Sequence, residues 1–137
     1  MINPISIALT GLVSSSKKAE VAAGNIANVS TVGSTDPENP FQAYSAKVTA
    51  DKSLTVGGTG SGVQTVVLNR NPPFVPSFSP DSPFADENGM VNAPNVNLDE
   101  ELVNLKSAEM SYKANAQVVR TGKEMQDSLI NALNHKA

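Results

Sequence analysis

The sequence predicts a mainly α protein with a small β-containing or irregular middle. Three observations carry that reading. An apolar stripe of helical spacing runs along each end, the chain between them turns rich in Gly, Pro, Ser and Thr, and large apolar side chains are scarce. The 137 residues include four Phe, two Tyr, no Trp and no Cys. Apolar burial contributes roughly 25 cal/mol per Å², and Ala brings little area, so a self-contained core would be marginal and partner subunits are the expected remedy.

The first helix is expected from about Asn3 to Val29. Its stripe passes through Ile5, Leu9, Leu12, Ser16, Ala19, Ala23 and Ile26, in alternating steps of four and three. Asn3 can cap it, with Pro4 at the first helical position. At 1.5 Å per residue it would span roughly 40 Å. Its second half offers small seam residues, and Gly11 and Gly24 each weaken it by ~1 kcal/mol.

The second helix is expected from Leu98 to Asn134, roughly 55 Å. Asn97 is its N-cap, Glu100 stands three residues on as in a capping box, and Asp99, Glu100 and Glu101 suit the positive end of the helix dipole. Its stripe follows Leu98, Leu102, Leu105, Tyr112, Ala116 and Val119, then Gly122, Met125, Leu129 and Leu133 after a one-residue slip near Val118. A helix so long and polar requires a partner.

In the middle, Tyr44 to Ala50 alternates like a half-buried strand, and Val63 to Leu68 is a second candidate. Gly57 to Gly62 is expected as a loop between them. Pro72, Pro73, Pro76, Pro80 and Pro83 exclude helix and central strand and imply an extended segment. With no evident partner in its own chain, that segment is expected to lie across an adjacent subunit. Asn88-Gly89 signals a turn. These boundaries divide the chain into residues 1–31, 32–95 and 96–137.

Catalytic and ligand-binding chemistry finds little support. A net charge of -3, with six acids and no base between Asp81 and Glu101, argues against nucleic acid as a partner. The single His135 cannot assemble a zinc site or a catalytic triad. The glycines at 57–62 lack the Lys of a phosphate loop. Asp86-Glu87-Asn88-Gly89 lacks two ligands of a calcium loop, and Asp81, Asp86 and Glu87 read as a solvated acidic loop more simply than as glycosidase carboxylates. No enzyme activity, cofactor, metal or small-molecule substrate is expected. No cleavable signal peptide and no membrane-spanning stretch are visible.

Gly24-Asn25-Ile26-Ala27-Asn28-Val29-Ser30-Thr31 resembles the Asn-Ile-Ala-Asn-x-x-Thr motif near the start of bacterial flagellar rod and hook proteins. Pro94-Asn95-Val96-Asn97-Leu98-Asp99-Glu100-Glu101-Leu102-Val103-Asn104 resembles that family's C-terminal motif, continued by Tyr112-Lys113-Ala114-Asn115 and Thr121-Gly122-Lys123-Glu124-Met125. The short middle, and Asp86 to Val91 just ahead of the second motif, are similar to the proximal rod members. The resemblance implies terminal helices paired as an antiparallel coiled coil, in a subunit of a helical tubular assembly in the basal body. It implies copies of itself and other flagellar rod proteins as partners, and passage through the flagellar export apparatus to the periplasm without a cleaved signal. Ile5, Leu9, Leu12, Ile26, Leu98, Leu102, Leu105, Tyr112, Val119, Met125, Leu129 and Leu133 are the expected packing residues. Asn25, Asn28, Thr31, Asn95, Asn97, Glu100 and Asn115 are the expected motif and capping residues. The alternative is another exported helical structural or translocator protein.

Overall fold

The structure, a computed structural model, describes residues 4–134; Asn3 and His135, singled out above, lie outside them. α1 (Pro4–Ala27) includes Pro4, the first described residue, whose fixed φ suits an early helical turn, and runs unbroken through Gly11 and Gly24. It stops two residues short of the expected Val29. There the backbone N–H and the side-chain Nδ2 of Asn28 both donate to the Gly24 carbonyl, at 3.1 and 2.9 Å.

α2 (Leu98–Asn134) begins where expected and runs to the last described residue. Asn97 caps it, its Oδ1 accepting from the N–H groups of Asp99 and Glu100 at 3.0 and 3.2 Å. The reciprocal half of the capping box does not form. The Glu100 carboxylate instead takes both guanidinium nitrogens of Arg70, at 2.9 and 3.2 Å, a stronger, charge-assisted pairing.

The two helices lie side by side and run in opposite directions, so that Ile5 meets Gly122, Gly11 meets Asn115 and Asn25 meets Glu101. The inner stripe of α1 is Ala8, Gly11, Ser15, Ala22 and Asn25. This is one residue, about 100°, round the helix from the expected seam. Leu9, Ser16 and Ala23 consequently face outward. On α2 the first turns are corrected in the same sense: Glu101 and Ala108 are buried while Leu98 and Leu102 are exposed. Further along, Leu105, Ala116, Val119 and Gly122 stand where the stripe placed them, partly buried.

The reason for the rotation is that α1 is packed on two sides. On the face next to α2 it meets a hairpin, through Ser14 and Thr65 hydroxyls 2.6 Å apart, the Val63 N–H donating to Thr10 Oγ1 at 3.1 Å, and Lys18 paired with Asp51 at 2.6 Å. Only small side chains let both neighbours approach at once.

That hairpin is β1 (Lys47–Val56) and β2 (Thr59–Asn69), antiparallel and closed by Gly57-Gly58 at φ 58° and 78°. Two successive positive φ values make the tight turn whose twist matches the strands. The expected strands capture about half of each ladder. Thr59 to Gly62, expected as loop, belongs to β2, with a register shift opposite Leu54 and Thr55. Backbone pairing there proceeds without an alternating apolar signal to announce it.

β3 (Phe74–Phe78) and β4 (Met90–Pro94) form a second antiparallel pair. The proline-rich stretch therefore has a partner within its own chain, contrary to expectation. Pro76 is accommodated because β3 pairs with a strand on one side only. Val91 on β4 is fully buried. Gly33 bridges to β4, exchanging both N–H···O bonds with Asn92 at 3.0 Å, and only its missing side chain lets the Ala43 backbone lie directly against it. The turn signal holds: Asp86 Oδ1 accepts from the N–H groups of Asn88 and Met90 at 2.8 and 2.9 Å, and Gly89 takes φ 76°. Among the described residues, the β3–β4 pair packs against neither helix nor the other hairpin.

Candidate functional site

The point where both family motifs meet is Asn25, whose side chain is wholly buried. Its Nδ2 donates to the Lys47 carbonyl at 2.8 Å and to Glu101 Oε1 at 2.9 Å. Its Oδ1 accepts from the Lys47 N–H at 3.1 Å and from the Tyr44 hydroxyl at 3.2 Å. The amide thus behaves like an extra residue on the open edge of β1, while its second N–H reaches α2. Two donors and two acceptor sites are all satisfied, the condition under which a buried amide is tolerated.

Glu101 is 3% exposed yet does not stand alone. Besides Asn25 it has Arg70 Nη2 at 3.6 Å and accepts from Asn104 Nδ2 at 3.4 Å. The Arg70 N–H in turn donates to the Ala46 carbonyl at 2.7 Å. The carboxylates of Glu100 and Glu101 hold the Arg70 guanidinium above its already high ordinary pKa, Glu100's hydrogen bonds acting most strongly. Burial, and secondarily the Glu101 charge, push the Tyr44 hydroxyl up. One polar cluster therefore ties α1, β1, the end of β2 and the start of α2 together. It fixes their registers, because a buried network with every partner present tolerates no slip.

The other motif asparagines are local. Asn28 closes α1, and the Thr31 hydroxyl donates to Asn28 Oδ1 at 3.3 Å while the Thr31 carbonyl accepts from the Tyr44 N–H at 3.1 Å. Asn95 secures the proline stretch, its Nδ2 on the Pro72 carbonyl at 2.9 Å and its N–H on that of Pro73 at 3.0 Å. Asn97 and Glu100 act at the start of α2 as described. Asn115 Nδ2 donates to the Ser111 carbonyl at 2.8 Å, and its amide fills the space above Gly11. Asn25 holds the junction of α1 with the middle region by bonding both backbone groups of Lys47, and it also bridges to Glu101, far away in sequence. Glu101 is expected only as a first-turn acid and Tyr44 only as part of a strand, while Arg70 carries no expectation. Glu101 lay inside a quoted motif, but Tyr44 and Arg70 offered no local signal for this role.

The apolar residues divide differently. Leu12, Ile26, Leu105 and Val119 are partly buried, and Ile5 lies against Gly122. Leu9, Leu98, Leu102, Tyr112, Met125, Leu129 and Leu133 are 44–68% exposed. Every residue from Lys123 to Asn134 is exposed. The molecule thus buries mainly small and polar contacts between its helices and leaves many large aliphatic side chains open, an arrangement suited to further assembly. Among the described residues, no helix is long and apolar enough to cross a membrane.

Residues 87–132 match the family described as flagellar basal body rod FlgEFG protein C-terminal. Similarity to curated proteins extends much further. The chain is 35% identical over 125 residues to the flagellar basal-body rod protein FlgC of Salmonella typhimurium, covering 91% of this chain and 92% of that protein. It is 36% identical over 127 residues to the protein of that name from Escherichia coli O6:H1, with the same coverage. The counterpart from Agrobacterium fabrum is 32% identical over 127 residues, covering 93% of this chain and 91% of its own. Similarity at this level along nine-tenths of both chains, with the two motifs joined at Asn25 and Glu101, places this chain in the family of structural flagellar basal-body rod proteins FlgC.

Proposed function

We propose that this rod subunit polymerises through its terminal helices, as an antiparallel coiled-coil domain of residues 1–31 and 96–137, into a helical tube. Residues 32–95 form its outer middle region. The tube serves as the proximal drive shaft that transmits torque and as the wall of the export channel. Its partners are copies of itself and other flagellar rod proteins. The subunit reaches the periplasm-spanning basal body through the flagellar export apparatus, without a cleaved signal. Because the relatives are structural, Asp86 and Glu87 are residues of a turn and not wall-hydrolase carboxylates.

The observation that carries this reading is the far end of α2. Beyond Gly122, where Ile5 lies against it, the helix continues for three more turns, and Leu129, Ile130 and Leu133 are 62%, 54% and 62% exposed. Burying these three side chains on a neighbour contributes about 3–5 kcal/mol per subunit. Repeated along a tube, such contacts resist shear because many must break together. The test is the paired substitution Leu129→Asp and Leu133→Asp. The isolated subunit should keep its unfolding free energy within about 0.5 kcal/mol, as surface changes do. Cells carrying it should be non-motile, with basal bodies arrested before the distal rod. Normal motility in that variant would refute the reading.

A further inference from the structure

The β3–β4 sheet and the segments packed on it form a lobe whose surface chemistry differs from the rest of the chain. Residues 32–46 and 71–95 carry Asp36, Glu38, Asp81, Asp86 and Glu87 but no Lys or Arg. All five acids are exposed, and none enters an ion pair among the described residues. The same lobe leaves Phe41 64% and Phe78 70% exposed. The Phe41 ring lies 5.8 Å from that of Phe84, and the loop bearing Phe84 returns to Phe78 through Gly89, so these rings belong to one continuous structure. Exposed prolines stiffen it, which lowers the entropy lost on binding.

A second copy of the chain offers few free cations to this lobe. Of the nine described lysines and arginines, six are already paired with carboxylates, and Lys47, Lys52 and Lys123 are scattered over β1 and the far end of α2. The chain as a whole carries a net charge of -3, so a further copy brings no excess of positive charge to this surface. We propose that the lobe docks on a different protein, one whose surface presents lysines or arginines around an apolar pocket that receives Phe41 and Phe78. The rings supply affinity by leaving water. The carboxylates at the rim supply orientation, association rate and discrimination against further copies of the acidic chain. This goes beyond assembly through the terminal helices and does not use them.

The test is photo-crosslinking in cells that make the full chain, with Phe78 replaced by benzoylphenylalanine, a larger aromatic photoreactive residue. The expected result is an adduct to a different protein, whose linked peptide lies beside lysines or arginines. Glu38→Gln, Asp81→Asn and Glu87→Gln together should lower its yield about tenfold. Neutralising these exposed, unpaired groups leaves the fold intact. Adducts only to copies of this chain, no adduct at all, or a yield indifferent to the neutralisation would each overturn the proposal. An adduct from a chain that never enters basal bodies would leave this proposal standing and remove the rod assembly instead.

Discussion

From Leu98 to Gly122 the second helix lies under α1, and from Lys123 to Asn134 all its residues are exposed. The two stretches are built in opposite ways. Under α1 the contacts are Ala8, Gly11, Ser15, Ala22 and Asn25 against Glu101, Ala108, Asn115 and Gly122. Beyond it stand Met125, Leu129, Ile130 and Leu133, all more than half exposed. A typical monomer places its large aliphatic residues inside. Here the fully buried contacts specify register and close approach, while the open end offers large aliphatic side chains with nothing of this chain over them. The subunit's shape and its capacity to assemble therefore rest on different residues, and each can be disturbed without the other.

The substitutions that separate the two stretches most sharply act under α1. Asn25→Ala strips four hydrogen bonds from one buried point and leaves the Glu101 carboxylate and the Lys47 peptide without their main partner. A loss of about 3–5 kcal/mol is expected in urea unfolding of the isolated subunit. A loss below about 1 kcal/mol would mean that water replaces the amide and that the network does not set the register. Gly33→Ala comes next. Its new Cβ would meet the Ala43 backbone nitrogen, which cannot yield as a side-chain tip can, and about 3 kcal/mol is expected by the same measurement.

Asn97→Ala sharpens the comparison at the start of α2. It removes one cap and about 1 kcal/mol. Circular dichroism should register fraying of the first turn while the exposed far end keeps its helix. The smallest effect belongs to the link between α1 and β1. The hydrogen bond from Lys18 holds the Asp51 carboxyl below its ordinary value, aided by that from Thr65. A lowered folded pKa contributes stability above the unfolded value, which is lost as pH falls through the folded one. The wild type should therefore exceed Asp51→Asn slightly in unfolding midpoint at about pH 6, and that margin should shrink by about pH 3. Because Lys18 and Asp51 are both more than one-third exposed, solvent screening keeps the shift small.

Legibility followed range along the chain. The start of α2, the Asn97 cap and the turn at Asp86–Gly89 depend on residues within four positions of one another, and each was readable. The hydrogen bond from Asn25 to Glu101 spans 76 positions, and that distance hides it from any local pattern. β3 was obscured because Pro76 argues against strand wherever its edge is unknown. The inner face of α1 and that of the first turns of α2 lie one residue from the stripe, because large apolar side chains there mark what the helix offers to neighbours. The face pressed against its own chain is marked by Ala, Ser and Gly.

The sequence by itself determined that two long terminal helices bracket a β-containing middle and that the chain belongs with the rod proteins. Periodicity, caps and motifs are properties of adjacent residues. Only the tertiary structure decided which way each helix is turned, that β3 finds β4, and that Asn25 carries four bonds between distant elements. Those outcomes depend on how closely three separate pieces of chain can approach, and that distance is set by the assembled backbone, not by any one segment.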